Sequence, residues 1–512
     1  MLKKVILSTA LAAMCWTAES ASVAAQGDLK AVVDSSMKAM GAAGVRTMAI
    51  SGTGFSSAVG QAFTPQAAWW RKFSNRDYVR SIDFDAKGWR LHRVVGEGEN
   101  PPLGGAGRIN PSPAETQDLV IKLGGESING PVRGQGIDAR SAEFTNEVEF
   151  AMVPVGFFRM ALDKNASVKS ETVSGKKYTV VTFPLELEAR NGAFKTTVSG
   201  WINDRGLLDR VATTIDNQVL GDIVWEATFS GWKDFGGVKM PTRIVQRQGE
   251  PRYSELNVTD VKVNVPVDLT LPPHKGEGEG EGGGGGARAA SSPVEDLGDG
   301  AWLVLGGNAG VIVELADYLV AVEGPTSDAR AEQIISQAKK LAPNKPIRYV
   351  LVSHAHYDHI GGLRAFVAEG ATIVAHEGNR GFFERAFANP HTLAPDRLSK
   401  MKPQPPVKVE YVGDRKVFTD GMRSVEMHRV RGSTHNAYMM MMYLPKQKIL
   451  IEADEFNVPG HEPKAPENLY EVNLLANIER LKLDVDRILP IHVPAGNRKV
   501  MLAELKKTAG RP

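Results

Sequence analysis

Three imidazoles and a carboxylate are packed into six consecutive positions of Ser353-His354-Ala355-His356-Tyr357-Asp358-His359-Ile360-Gly361-Gly362, directly after the apolar run Tyr349-Val350-Leu351-Val352. A strand that ends in a tight loop lets His354 and His356, two apart, point one way while Asp358 and His359 turn toward a neighbouring point. Neutral imidazole suits Zn, Fe, Cu or Ni, and an added carboxylate makes a mixed nitrogen and oxygen site for a hydrolytic metal. Histidine is scarce elsewhere: of the eleven in the chain, nine lie after residue 350.

The pattern His-x-His-x-Asp-His resembles the metallo-β-lactamase fold superfamily, and the resemblance covers about residues 294 to 500. It implies an αββα sandwich with ligands on loops at one edge of two packed sheets, and it requires three more ligands downstream. His435, in Gly432-Ser433-Thr434-His435-Asn436, matches the turn that carries a third histidine. Asp454 follows the apolar strand Ile449-Leu450-Ile451, where many members place a bridging carboxylate, and His492 follows Ile488-Leu489-Pro490-Ile491 as the last histidine. The resemblance thus assigns His354, His356 and His435 to a first metal and Asp358, His359 and His492 to a second, with Asp454 shared. Taken singly, His435 reads as a turn residue, Asp454 as a cap and His492 as a half-buried histidine; only with the upstream block does the metal reading prevail. Two divalent ions roughly 3.5–4 Å apart can share a water, lower its pKa toward about 7 and polarise a carbonyl or phosphoryl oxygen. Two zinc ions per chain are expected, with iron or manganese as the other metals such donors accept. His376, His391, His428 and His461 do not join on spacing and are expected at the surface, behind the ligands or at the pocket rim.

Two departures from the family pattern stand out. Glu323, in Ala321-Val322-Glu323-Gly324-Pro325, replaces the aspartate many relatives place at that strand end, yet a glutamate still reaches a ligand to orient it. The only cysteine is Cys15, so no thiolate serves the second metal. That disfavours the β-lactamases with a cysteine ligand, and Asp454 instead makes the site similar to those of glyoxalase II-type thioesterases and lactonases.

The elements that must position these ligands follow in order. Trp302–Leu305, Gly310–Val313 and Tyr318–Val322 read as short strands, Ala329–Leu341 as a helix, Leu363–Ala368 as a helix after Gly361-Gly362, and Ala371–Ala375 as a strand. The run Tyr438–Tyr443, with four methionines, reads as a core strand whose pliable side chains fill gaps on both faces. Upstream, Tyr178–Phe183 and Ala193–Val198 flank an Asn191-Gly192 turn signal, and Ile223–Phe229 alternates likewise, so the first half reads as antiparallel β. Helices there are expected near Leu29–Met40 and Val155–Leu162, and Trp69, Trp70, Trp89, Trp201 and Trp225 are expected in the core. The pattern of long strands resembles the half-barrel of periplasmic lipoprotein-carrier proteins. Between the halves lie Lys275-Gly276-Glu277-Gly278-Glu279-Gly280-Glu281 and Gly282 to Gly286, a flexible linker across which the halves are expected to move.

The fold expected is therefore α/β: a signal peptide over 1–25, a mostly antiparallel β-rich accessory domain over 26–273, a glycine-rich linker over 274–293 and a catalytic αββα sandwich over 294–512. Lys3 and Lys4, the apolar stretch Val5–Trp16 and the small residues Val23-Ala24-Ala25 point to export across the inner membrane into the periplasm, with no transmembrane segment. Sixty-one basic and fifty-nine acidic residues leave a net +2 without a basic tract, which disfavours nucleic acid and favours a small-molecule substrate. The function expected is hydrolysis of an ester, lactone, thioester or amide by a metal-bridging hydroxide, with Asp358 as the catalytic group that orients the nucleophile or returns a proton. The alternatives are a β-lactamase, a mononuclear iron oxygenase on the same fold, which uses two histidines and a carboxylate, and an envelope lipid-binding or carrier protein.

Overall fold

A computed structural model of the chain describes residues 26–106, 110–124, 142–189, 192–271, 292–456, 468–492 and 499–510. The expected signal peptide, the Gly276–Gly286 stretch, Asn191 and His461 lie outside the described residues.

The first half is an eleven-stranded antiparallel sheet built from two meanders. One starts at the central strand Thr47–Ala58 and steps outward through Arg71–Asp83 and Gly88–Glu97 to the edge strand Glu115–Lys122. The other starts at the opposite edge, Ser167–Val173, and returns strand by strand to Arg252–Val263, which pairs with Thr47–Ala58. Period-two patterning fixes which face is inside. In Leu208–Asn217 the residues Leu208, Val211, Ile215 and Asn217 are buried, and in Gly221–Asp234 the inward set is Ile223, Trp225, Ala227 and Phe229. Three helices fill the inner face. Leu29, Val33 and Met37 of the helix Gln26–Ala39 join Phe157 and Phe158 of Pro154–Asp163 in one apolar cluster, and Pro154 starts its helix where its missing N–H costs nothing. Of the tryptophans expected in the core, Trp70, Trp89 and Trp225 are buried. Trp69 and Trp201 are only half-buried and instead lie under the Lys72 ammonium and the Arg210 guanidinium.

The second half is a sandwich of a seven-stranded and a six-stranded sheet. The first sheet runs in chain order, antiparallel from Val294–Gly298 to Leu319–Val322, then parallel through Ile347–Leu351, Thr372–His376 and Val409–Val412. Its outer face is covered by the helices Asp328–Leu341 and Leu363–Ala368, the former capped by the Ser327 hydroxyl. The second sheet runs from Arg415–Thr419 to Val500–Met501, and the helix Leu469–Leu481 covers its outer face. The methionine run lies where the pattern places it, in the fully buried strand Met440–Leu444. Met440 and Met442 pack between the sheets with Val311, Val313, Val320 and Ile451, while Met439 and Met441 pack outward against Leu474 and Ile478.

Besides the glycine-rich stretch between them, the halves meet directly at described residues. Tyr357, in the metal-loop segment, packs edge-on against Trp70 with ring centroids 5.2 Å apart. At a second place the Asp222 carboxylate accepts from Thr392 N (2.8 Å) and Thr392 Oγ1 (2.5 Å), and Asn389 donates to the Leu220 carbonyl. No helix among the described residues is long and apolar enough to cross a membrane.

Candidate metal centre

All seven ligands expected from the sequence converge. The parallel strand Ile347–Leu351 delivers His354 and His356 at its C-terminal end, and the single helical turn Tyr357–Ile360 that follows carries Asp358 and His359. His435 comes from the loop between Ser424–Arg429 and Met440–Leu444, Asp454 from just beyond Ile449–Glu452, and His492 from just beyond Arg487–Pro490. Strand ends at one edge of both sheets thus present short loops to a common point, the position in such sheets where binding residues gather. Asp454 adopts the left-handed conformation (φ +65°), a strained backbone that aspartate tolerates better than most residues and that aims its carboxylate back across the sheet edge.

Among the described residues the donors form two groups, His354, His356, His435 with Asp454, and Asp358, His359, His492 with Asp454, each with its donor atoms within 4.8 Å of one another. His356 Nδ1 lies 2.9 Å from both His354 Nε2 and His435 Nε2. Asp454 Oδ2 lies 3.4 Å from His354 Nε2, 3.4 Å from His435 Nε2 and 2.7 Å from His359 Nε2, and Oδ1 lies 2.9 Å from His492 Nε2. Asp358 Oδ2 is 3.4 Å from His359 Nε2 and from His492 Nε2. The donor set passes a test of fit for metal. Asp454 Oδ2 and His359 Nε2 are shielded from solvent, yet neither makes a hydrogen bond of acceptable geometry, which is the arrangement of lone pairs aimed at a shared cation.

Behind these donors stand groups that set their orientation. Ser353 Oγ is 2.9 Å from His354 Nδ1, and Glu323 Oε2 is 3.2 Å from His359 Nδ1 while its Oε1 accepts from Ser353 N. The expected glutamate thus does reach a donor ring, that of His359. Glu452 accepts from Glu455 N and Phe456 N and so ties down the loop of Asp454; burial and the Asp454 charge push its pKa well up. Ser433 donates to Glu455 and accepts from His435 N, and burial raises the Glu455 carboxyl to about 7.

Charge separates the two groups. Burial, with the neighbouring imidazoles, lowers His354 far below its usual value, and burial lowers His356 to about 3. Burial also opposes a charge on His359 and His492, but there the carboxylates prevail. Asp358, Asp454 and Glu323 raise His359 well above 6.5, and Asp454 with Asp358 raises His492 to about 10. The two aspartates are correspondingly held well below the usual carboxylate range by these imidazoles, against the effect of burial.

His376, His391 and His428 stay outside both groups, but all three are buried rather than at the surface. His376 stacks on Tyr438 with rings 9° from parallel, and His428 Nε2 meets Glu426 Oε2 at 2.8 Å. Two residues that the sequence reading missed touch candidate donors from the first half of the chain: Gln61 Nε2 donates to Asp358 Oδ1 (2.8 Å), and the Ala62 carbonyl lies 2.8 Å from His356 Nε2. Nothing in the local sequence Val59-Gly60-Gln61-Ala62-Phe63 signals this.

Residues 306–492 match the sequence model of the metallo-beta-lactamase superfamily, and this part of the chain is a domain of that fold. Similar solved structures include metallo-beta-lactamases from Pontibacter korlensis (17% identity, 43% of this chain and 97% of that one, TM-score 0.33) and Hirschia baltica (20%, 43% and 99%, TM-score 0.31). A third is from Erythrobacter litoralis (18%, 44% and 97%, TM-score 0.31). Comparison with curated proteins gives no match.

Proposed function

We propose that the protein is an exported two-zinc hydrolase of a small ester, lactone, thioester or amide. The observation that carries this reading is a pair of donor groups sharing one carboxylate, Asp454, whose Oδ2 lies within 3.4 Å of His354, His435 and His359. Two divalent ions held there would supply a water of lowered pKa and polarise the carbonyl to be attacked. The protein's own part is positioning. Asp358 keeps Oδ1 on the Gln61 amide and turns Oδ2 toward His359 and His492, so one carboxylate oxygen faces the reacting space to orient the nucleophile and hold its proton. Glu323 and Ser353 fix the rings of His359 and His354 against rotation. Export rests on the charged start, apolar stretch and small-residue site of residues 1–25, and predicts a mature chain beginning at Gln26 in a periplasmic fraction.

The test is elemental analysis of the purified protein together with a panel of lactone, thioester, sulfate-ester and β-lactam substrates. Two metal equivalents with hydrolysis of one carbonyl substrate class are expected. One iron per chain with substrate-dependent oxygen uptake would replace this reading by the oxygenase, and metal-free protein carrying lipid would replace it by a carrier.

A further inference from the structure

We infer that the N-terminal half is a working part of the metal centre: Gln61 is the positioning residue for Asp358, and the Ala62 carbonyl fixes the ring of His356. The inference rests on the two-ion reading above but concerns residues that no member of the ligand pattern supplies. His356 turns Nδ1 toward His354 and His435, both at 2.9 Å, so Nδ1 is the atom a metal would take. The ring proton must then sit on Nε2, and the acceptor waiting 2.8 Å away is the Ala62 carbonyl. The orientation of the Gln61 amide is equally determined. Ala106 N–H, a donor only, lies 2.9 Å from one side-chain atom, which must be Oε1, so the NH2 group must be the one facing Asp358 Oδ1. Each donor group therefore has one ligand backed from the other half of the chain.

The segment that does this is clamped. Tyr357 N donates to Gly60 O and Ala437 N to Phe63 O, so residues 60–63 are tied to the ligand loops on both sides. Gly104 donates its N–H to Thr434 O, and its carbonyl accepts from both Arg71 Nη1 (2.9 Å) and Tyr470 OH (3.0 Å), while Arg71 pairs with Glu97. At Gly105 a Cβ would lie 1.8 Å from Gln61 Oε1 and 2.8 Å from His356 Cε1; only glycine lets this loop pass so close.

The experiment compares full-length wild type, Gln61→Glu and Gln61→Met by zinc titration against a competing chelator and by the visible spectrum of the cobalt(II)-loaded protein. Gln61→Glu still offers Ala106 N an acceptor but sets a carboxylate against Asp358. If Gln61 positions the ligand, the second zinc equivalent weakens about 10- to 100-fold, the first is held as in wild type, and the cobalt spectrum of the second equivalent shifts. Gln61→Met, which removes the donor without adding charge, weakens the second equivalent less, and it decides the matter should the glutamate variant not fold. Zinc affinities and cobalt spectra equal to wild type in the folded variants would overturn the inference, because a residue that merely tethers the 104–106 loop would leave them unmoved. Wild type that binds fewer than two equivalents would overturn the two-ion reading itself, and this inference with it.

Discussion

The two donor groups share a carboxylate and differ in almost everything else. The first is three imidazoles, each no more than 1% exposed, backed by a hydroxyl, a carbonyl and a well-packed loop. The second holds two carboxylates and two imidazoles, and it is the more open: side-chain exposure reaches 15% at Asp358 and 30% at His492. A closed set of neutral nitrogens is preorganised for a cation and insensitive to its surroundings. An open, charge-dense set is the one that solvent reaches, and there the binding of a cation would depend on neighbouring charges being held in place.

The severest test of the comparison removes what the groups have in common. Asp454→Ala should strip the second group of its closest contact and the first of its fourth donor. We expect metal content to fall to one equivalent or less and turnover to fall by about 10³-fold or more, the several kcal/mol that metal activation supplies. Retention of two tight equivalents would show that Asp454 does not bridge. A smaller effect is expected of Asp358→Ala, which touches only the second group: bound metal halves, the fold is retained by circular dichroism, and most turnover is lost. Metal content fixed at one ion in wild type and variant alike would dissolve the second group altogether.

How far this comparison was readable beforehand depended on distance along the chain. His435, in a Gly-Ser-Thr turn, and Asp454 and His492, each after an apolar strand, were reached only through the family resemblance, whereas His354, His356, Asp358 and His359 fall within six residues on one strand end, where local pattern was enough to single them out. The strands and helices of the sandwich were legible for the same reason, because their burial follows the period of the residues themselves, as in the alternation of Met439 to Met442 between two cores. Gln61 was not legible. It meets Asp358 across 297 positions, sits between ordinary apolar neighbours, and acquires its role only because the first meander folds back over the ligand loops. Composition is silent in a related way: a glycine-rich stretch between two halves says nothing of the contacts those halves make elsewhere, such as Trp70 on Tyr357. The sequence left His376, His391 and His428 open between surface, pocket rim and a place behind the ligands, because a lone histidine carries no periodic signal, and burial removes the first of these.

Glu323 sharpens the comparison from behind the ligands. Its two oxygens hold Ser353 N and His359 Nδ1, so Glu323→Gln keeps the shape while removing the charge that favours His359 as a proton donor toward it. The second metal should weaken about 10- to 100-fold, with the first held nearly as in wild type. A chelator-competition titration separates the two equivalents; equal weakening of both would mean that Glu323 supports the loop rather than the second group.

The smallest effect expected is one of pH on the chelator-treated protein, and its sign distinguishes the groups. A histidine whose folded pKa lies above 6.5 contributes stability that is complete below 6.5 and is lost as pH rises to the folded value. His492, raised to about 10 by Asp454 and Asp358 against the effect of burial, meets this condition, and His359 is raised in the same direction. His354 and His356 are lowered by burial, so they are already neutral at pH 7 and have nothing to lose on the alkaline side. Their contribution is lost instead as pH falls below 6.5, as unfolded histidines take up protons that the folded ones refuse. Glu455, raised to about 7 by burial, titrates near neutrality, and Glu452, pushed well up by burial and the Asp454 charge, adds to any alkaline loss, so the change of slope in a His492 variant, and not the slope itself, reports on the second group. The chelated protein should therefore lose thermal stability from pH 7 to 10, at roughly 2–4 °C per kcal/mol for a domain of this size. His492→Gln should flatten that limb even if it lowers the midpoint overall, because glutamine has no proton to give up. Saturating zinc should flatten it as well, since the metal takes the place of the protons on His359 and His492. Melting curves at unit pH steps measure all three slopes. An alkaline limb that is equally steep in His492→Gln would show that the second group is not held by the charge of its imidazoles, and the contrast between a neutral and a charged half of the centre would go with it.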